Sequence, residues 1–314
     1  MNIPDPLVLG TRASKLALWQ AEYVAGRLRA AGFATKLRTF VTSGDVRLDK
    51  PLPELGDKGL FTAELDAALL AGEIHLAVHS LKDLPTVLTD GLELSAVPER
   101  ASPWDALVAT DETVRTPADL PMGAVVGTSS LRRAAQLRRW RPDLEVVSVR
   151  GNVETRIRKA FEAGWGGTVL AEAGLRRLGL DRYVTARFDA SVMLPGIAQG
   201  ALGVVTACAA RAALAPLIAT LDDPAIHQEV RAERALLRRL EGGCQVPVGG
   251  LATRLEDGRL RLEGIVASVD GTAAVRDAVE GPSTDPEALG LALAERLLAA
   301  GADRILAGIR GAGP

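Results

Sequence analysis

A strand–junction–helix unit recurs along the first two thirds of the chain, and it constrains the fold more than any other feature. Residues 6–10 (Pro-Leu-Val-Leu-Gly) form an apolar run, followed by the junction Thr11-Arg12-Ala13. Ser14 is placed to N-cap a helix that runs to about Ala31, where Gly32 stops it. Leu16, Tyr23, Val24 and Leu28 fall on one face of that helix. The middle third repeats the unit twice. Strand 124–127 leads through Thr128-Ser129-Ser130 into helix Leu131–Trp140, and strand 145–149 leads through Arg150-Gly151-Asn152 into a helix ending near Ala163. Strands alternating with helices imply an α/β architecture with largely parallel sheets.

Other elements fill in around these units. Residues 35–41, 74–79 and 168–171 read as strands and 61–70 as a helix, while 42–59 is a long polar stretch of the kind that usually serves function. The last third has a different pattern. A helix over 223–240 precedes three strands at about 246–255, 259–269 and 273–280, with the hairpin signals Asp257-Gly258 and Asp270-Gly271 between them. A helix over 286–300 ends at Gly301. This is a small C-terminal α+β domain with a three-stranded antiparallel sheet. The Pro-containing stretch 97–103 and the Pro/Gly-containing stretch 195–203 are candidate crossings between two α/β lobes. The expected organisation is lobe 1 at 1–99 with 200–220, lobe 2 at 100–199 and a third domain at 221–314. Two crossings between two α/β lobes describe a hinged, periplasmic-binding-protein-like arrangement that closes around a ligand.

Composition narrows the function. A chain of 314 residues with 47% hydrophobic and 24% charged residues is globular, and its length suits two or three domains. No apolar run approaches the ~20 residues of a membrane span, and the N-terminus lacks the pattern of a signal peptide, so a cytosolic protein is expected. Two cysteines and three histidines in no zinc or HExxH spacing argue against a disulfide framework or a transition-metal site. The net charge of −2 gives no reason to expect a nucleic-acid partner. The charge is uneven, however. From Ser129 to Arg177 there are eleven Arg and Lys against five acids, a local excess of +6.

Three strand-to-helix junctions pair an arginine with hydroxyl or amide neighbours: Arg12 with Ser14; Arg132 and Arg133 with Thr128, Ser129 and Ser130; and Arg150 with Asn152. Ligands of open α/β sheets bind at the C-terminal ends of strands, where helix N-termini favour anions. Arginine adds a planar grip on carboxylates. One such junction could be plain capping and solvated surface, but three in one chain point to a cleft for a polyanion. No Walker loop or GxGxxG indicates a nucleotide. Asp83 follows another strand end among these cations. It would not bind an anion, but it could stabilise a cation that develops in a reaction; an exposed acid paired with Lys82 is the alternative. Cys244 lies in Glu241-Gly242-Gly243-Cys244, a loop able to turn sharply and expose a nucleophilic thiol or a point of covalent attachment; a small buried residue is the alternative. Cys208, after the apolar run 202–205, is expected in the core. His79 is expected to be a satisfied structural histidine.

These residues resemble the porphobilinogen deaminase (hydroxymethylbilane synthase) family. The resemblance rests on Thr11-Arg12-Ala13-Ser14, Lys58-Gly59-Leu60-Phe61, His79-Ser80-Leu81-Lys82-Asp83-Leu84-Pro85 and Gly127-Thr128-Ser129-Ser130-Leu131-Arg132-Arg133. It continues through Arg150-Gly151-Asn152-Val153, Arg177-Leu178-Gly179, Gln199-Gly200-Ala201 and Glu241-Gly242-Gly243-Cys244-Gln245-Val246-Pro247. The strings are in family order and span nearly the whole chain. The resemblance implies an enzyme that joins four porphobilinogen molecules into hydroxymethylbilane with release of ammonia. It also implies a dipyrromethane cofactor bound by a thioether to Cys244. In matching positions, Arg12, Ser14, Lys58, Ser80, Lys82, Thr128, Ser129, Ser130, Arg132, Arg133, Arg150, Arg156, Arg177 and Gln199 would hold the carboxylates of cofactor and substrate. Asp83 would stabilise the positive charge that develops on the pyrrole, with proton transfer as a second possible role. The chain departs from the family pattern at Lys15, where many members have proline, and at Glu54, where some have lysine. The implied enzyme is a cytoplasmic monomer acting on a small molecule, with no metal, nucleic-acid or membrane partner. The rival reading from another class is a non-catalytic, two-lobed anion-binding protein.

Overall fold

The computed structural model describes residues 3–42, 62–240 and 246–311. Lys58, Glu54 and Cys244, and with them most of the 42–59 stretch, lie outside the described residues. Two compact units emerge, Met1–Ala101 with Gly200–His227 and Ser102–Gln199 with Gln228–Pro314.

The first unit is built on a five-stranded sheet of β1 (Leu7–Arg12), β2 (Thr35–Phe40), β3 (Leu76–Ser80), β4 (Leu92–Ala96) and β10 (Leu202–Ala207), in the order β2-β1-β3-β10-β4. Pairing is parallel from β2 through β1 to β3, and β10 runs antiparallel to both β3 and β4. Period-two alternation sends Leu7, Leu9, Leu76, Val78, Leu202 and Val204 into one core. There they meet Val24 and Leu28 of α1 (Lys15–Ala30) and Leu214 and Leu217 of α6 (Arg211–Leu221). Ser14 caps α1 as expected, its side chain accepting from the Ala17 amide, and Gly32 follows the helix at φ 90°. Helix α2 (Ala63–Leu70) adds Leu65 and Leu69 to the buried set.

The second unit repeats the plan. Its sheet has the order β7-β6-β8-β5-β9, from β5 (Asp105–Ala109), β6 (Val125–Gly127), β7 (Glu145–Val147), β8 (Gly167–Ala171) and β9 (Ala186–Arg187). Here β5 is the antiparallel strand. The two sheets correspond strand for strand, and in each the antiparallel member is the strand the chain enters immediately after crossing from the other unit. Largely parallel sheets therefore hold for four strands of each five and fail at the crossing strand, whose short apolar run carries no mark of direction. Leu107, Val126 and Val169 pack with Leu137 of α3 (Leu131–Trp140) on one face. Ala106, Val108 and Leu170 pack with Ile157 of α4 (Val153–Glu162) and Leu175 of α5 (Glu172–Arg177) on the other.

The same unit carries the antiparallel sheet β11 (Val248–Arg254), β12 (Leu260–Ala267) and β13 (Ala274–Gly281), joined at turns where Gly258 and Gly271 have φ of 83° and 79°. Helices α7 (Pro224–Arg239) and α8 (Pro286–Leu297) accompany it. The helical run from Pro286 is broken at Gly301, as expected. The backbone kinks there at φ 106° and continues into α9 (Asp303–Gly311). No described helix is long and apolar enough to cross a membrane.

Two glycines make opposite predictions. A Cβ at Gly290 of α8 would lie 2.3 Å from the Ala232 carbonyl oxygen and 2.7 Å from the Ala235 Cβ of α7. Gly290→Ala should therefore cost roughly 1–3 kcal/mol by forcing α7 and α8 apart. Nothing lies within 4 Å of a Cβ at Gly26 in α1, so Gly26→Ala should stabilise by about 1 kcal/mol through helix propensity. Urea titrations of the two variants would show midpoints moving in opposite directions.

Candidate active site

The three expected junctions all lie at C-terminal strand ends: between β1 and α1, β6 and α3, and β7 and α4. In the first unit, Arg12 ends β1, Ser80 ends β3, and Asp83 closes the short 3₁₀ turn Leu81–Asp83. With Ser14, Gln20, Thr62 and His79 they line one cavity of about 60 Å³. Gln20 donates to the Ser80 hydroxyl at 2.8 Å, tying α1 to the end of β3. Lys82 is half-buried beside them. Asp83 is exposed and, among the described residues, makes no hydrogen bond or ion pair. The alternative in which it pairs with Lys82 is not what the structure shows. The Arg12 guanidinium suits a carboxylate and the Asp83 carboxylate suits an N–H group, so the residues present fit a carboxylate-bearing pyrrole.

His79 is 6% exposed and its Nε2 has no hydrogen-bond partner among the described residues. It is buried as expected but not satisfied. Burial, with the Arg12 guanidinium adding repulsion, pushes its imidazole down to about 4. Cys208 also departs from expectation. It is exposed, because β10 ends at Ala207 and the chain turns out of the core there.

In the second unit the hydroxyls hold the junction together. Ser130 caps α3 through the Arg133 amide, Thr128 is buried and accepts from the Ser130 amide, and Ser129 donates to the Val149 carbonyl at 2.7 Å. Asn152 caps α4, its side chain accepting from the Thr155 amide. Arg150 is half-buried, Arg156 donates to the Gly151 carbonyl at 2.8 Å, and Arg177 is buried at the end of α5. Arg132 and Arg133 are also buried, 6% and 5% exposed, and both bind Asp105. Arg132 Nη1 lies 2.6 Å from Asp105 Oδ2, and Arg133 Nε donates to Asp105 Oδ1 at 2.8 Å. Gln199 Nε2 donates to the same carboxylate at 2.9 Å and to the Pro103 carbonyl at 2.7 Å. Burial alone would raise the Asp105 carboxyl. The two guanidiniums and Gln199 outweigh it and hold the group well below the ordinary carboxylate range.

The sequence reading missed Asp105. Its signal was an acid opening an otherwise apolar strand, Asp-Ala-Leu-Val-Ala, where only a paired charge can be buried. It also missed Glu233, fully buried in α7, whose two oxygens accept from the amides of Ala198 (2.6 Å) and Ala252 (2.8 Å). Ala198 has a left-handed backbone, φ 57°. Such a conformation costs on the order of 1 kcal/mol and persists where surrounding bonds over-determine it. No cluster of metal-ligating side chains occurs among the described residues.

Comparison with known proteins decides the family. The family model described as "Porphobilinogen deaminase, dipyromethane cofactor binding domain" matches residues 7–214, and "Porphobilinogen deaminase, C-terminal domain" matches 227–299. The chain belongs to the porphobilinogen deaminase family. It is 52% identical over 309 residues to a porphobilinogen deaminase of Desulforudis audaxviator, covering 97% of this chain and 98% of the relative. It is 49% identical over 306 residues to one of Geobacter metallireducens, covering 97% and 95%. Among solved structures it is similar to an ABC-transporter periplasmic substrate-binding protein of Coxiella burnetii, with 14% identity, TM-score 0.41, and 73% and 96% of the two chains covered.

Two outcomes follow from these buried groups. Asp105→Leu leaves two buried cations uncompensated and should lose about 3–5 kcal/mol of stability, read by chemical denaturation. The His79 contribution has a definite sign. The unfolded imidazole takes up a proton near pH 6.5 and the folded one only near 4. Stability is therefore complete above about 6.5 and falls as the pH drops toward 4, by on the order of 3 kcal/mol. His79→Gln should flatten that part of the stability–pH curve relative to wild type.

Proposed function

We propose that this chain is a transferase of tetrapyrrole biosynthesis that joins four porphobilinogen units into hydroxymethylbilane and releases ammonia at each coupling. Asp83 carries the reading: a carboxylate without a partner among the described residues, in one cavity with Arg12 and Ser14. A cavity built only to hold an anion has no use for it, so the non-catalytic anion-binding alternative is not favoured.

The dipyrromethane group, attached through a thioether to Cys244, supplies a covalent primer for the growing chain. Arg12, Ser14, Ser80 and Lys82 in the first unit, and Arg132, Arg150, Arg156 and Arg177 in the second, would hold its carboxylates and those of the substrate. Lys58, Thr128, Ser129, Ser130 and Gln199 would complete the shell, and Arg133 would brace it through Asp105. Asp83 accepts hydrogen bonds from pyrrole N–H groups and stabilises the positive charge that builds up on the ring during coupling. Its charge is needed in the transition state more than in the ground state, so its effect falls on turnover. The division proposed is lobe 1 at 1–99 and 200–220, lobe 2 at 100–199 and the cofactor-bearing domain at 221–314; the gap between the family matches at 214 and 227 supports its last boundary, and the breaks at Ala101/Ser102 and Gln199/Gly200 support the two crossings. The activity is proposed to be that of a cytoplasmic monomer.

Single-turnover assays on cofactor-loaded enzyme test the mechanism. Asp83→Asn should slow coupling by ~10²–10³, and Asp83→Glu by less, with both variants folded. Coupling at the wild-type rate in Asp83→Asn would overturn the role given to this carboxylate. Intact-mass measurement with peptide mapping tests the attachment. Cys244→Ala should lack the adduct that Cys208→Ala retains, and an adduct mapped to Cys208 would refute the assignment.

A further inference from the structure

Arg132 and Arg133 are adjacent in sequence but differ in how many of their nitrogens are occupied. All three nitrogens of Arg133 are engaged. Nε donates to Asp105, Nη1 donates to the Val169 carbonyl at 2.9 Å, and Nη2 lies 2.7 Å from Asp105 Oδ1 and 3.4 Å from Gln199 Oε1. In Arg132 only Nη1 is engaged, with Asp105 Oδ2 at 2.6 Å and the Leu194 carbonyl at 2.8 Å. Its Nε and Nη2 make no hydrogen bond or ion pair among the described residues, yet neither is among the buried atoms left unsatisfied. This Nε–Nη2 edge can take a carboxylate through two parallel hydrogen bonds.

The edge lies against Gly196. A Cβ at that position would be 3.4 Å from Nε and 3.7 Å from Nη2. The backbone at Gly196 is not in the left-handed region, so the local conformation does not demand glycine. What a side chain there would do is cover the guanidinium. The segment is pinned over α3, because Gln136 accepts from the Leu194 amide at 2.8 Å and donates to the Leu194 carbonyl at 3.1 Å.

We propose that Asp105 is a positioning residue that separates two neighbouring arginines: it commits Arg133 to the fold and fixes Arg132 so that its Nε–Nη2 edge takes a carboxylate of the pyrrole chain through the opening left by Gly196. The proposal rests on the function given above and narrows it. One carboxylate between two guanidiniums leaves a net positive charge, and Arg132 presents it. The guanidinium is already oriented by Asp105 and Leu194, so little rotamer freedom remains to be lost when the ligand binds.

The test uses the purified full-length chain with porphobilinogen, measuring KM, kcat, Tm and the intact-mass distribution of enzyme-bound chains. Gly196→Ala and Gly196→Val should keep the wild-type Tm but raise KM, the alanine by roughly tenfold for one lost charged contact and the valine by more, with the mass distribution shifted to shorter chains. Arg132→Gln should raise KM more than Arg133→Gln, and Arg133→Gln should lower Tm more than Arg132→Gln. Wild-type KM and masses in both Gly196 variants would overturn the role of the exposed edge. The reverse ranking of the two arginines would overturn the division between them. A wild-type chain that releases no ammonia from porphobilinogen would instead refute the function on which the proposal rests.

Discussion

A single buried carboxylate organises the second unit. Asp105 opens β5 with its side chain on the face packed by α3, and it gathers Arg132, Arg133 and Gln199 around two oxygens. Burying one charge this way is unfavourable unless every lone pair is met, and partly satisfied clusters are worse than apolar packing. Here they are met, and the result is directional. The N-terminal turn of α3 cannot shift without breaking bonds to β5, to the Leu194 carbonyl and to Gln199. Apolar side chains of equal volume would fill the space but would not set the angle of a guanidinium.

The same unit shows why local charge is a poor guide to ligand charge. The excess of +6 over residues 129–177 pointed to a polyanion. Several of those arginines act within the fold: Arg141 pairs with Asp143, Arg158 with Glu162 and Arg176 with Glu172, while Arg138 donates to the Val269 carbonyl. What remains for a ligand is smaller and more specific than the sum. The three carboxylate pairs are close in sequence and already counted in that excess, but no sequence window could have shown the engagement of Arg132, Arg133 and Arg138, because Asp105 and Val269 are far from them along the chain.

Local rules were legible where local physics decides the outcome. The caps Ser14 and Asn152, the boundaries of α3, and the two Asp-Gly turns follow from backbone hydrogen bonding within a few residues. The strand–junction–helix pattern placed Arg12, Ser80 and Asp83 at strand ends correctly. The errors fell on long-range properties. Four apolar residues, Leu202 to Val205, gave no hint that their strand would run against its neighbours or that Cys208 would emerge beyond it. An imidazole read as satisfied, His79, was left with a buried nitrogen unmatched, since partner geometry across strands is not encoded in a local window.

The exchange of crossing strands also has a consequence for the order in which the protein can assemble on the ribosome. The second sheet is complete within residues 105–187. The first begins at Leu7 but lacks its fourth position until β10 has been made at residues 202–207. Without β10, β4 has no neighbour, and β3 presents an unpaired edge of the kind that invites wrong partners. The N-terminal half is thus synthesised first and finished last. It must hold its unpaired edge through the synthesis of about a hundred further residues, so accurate assembly depends on the later-made lobe folding promptly and leaving that edge free for β10.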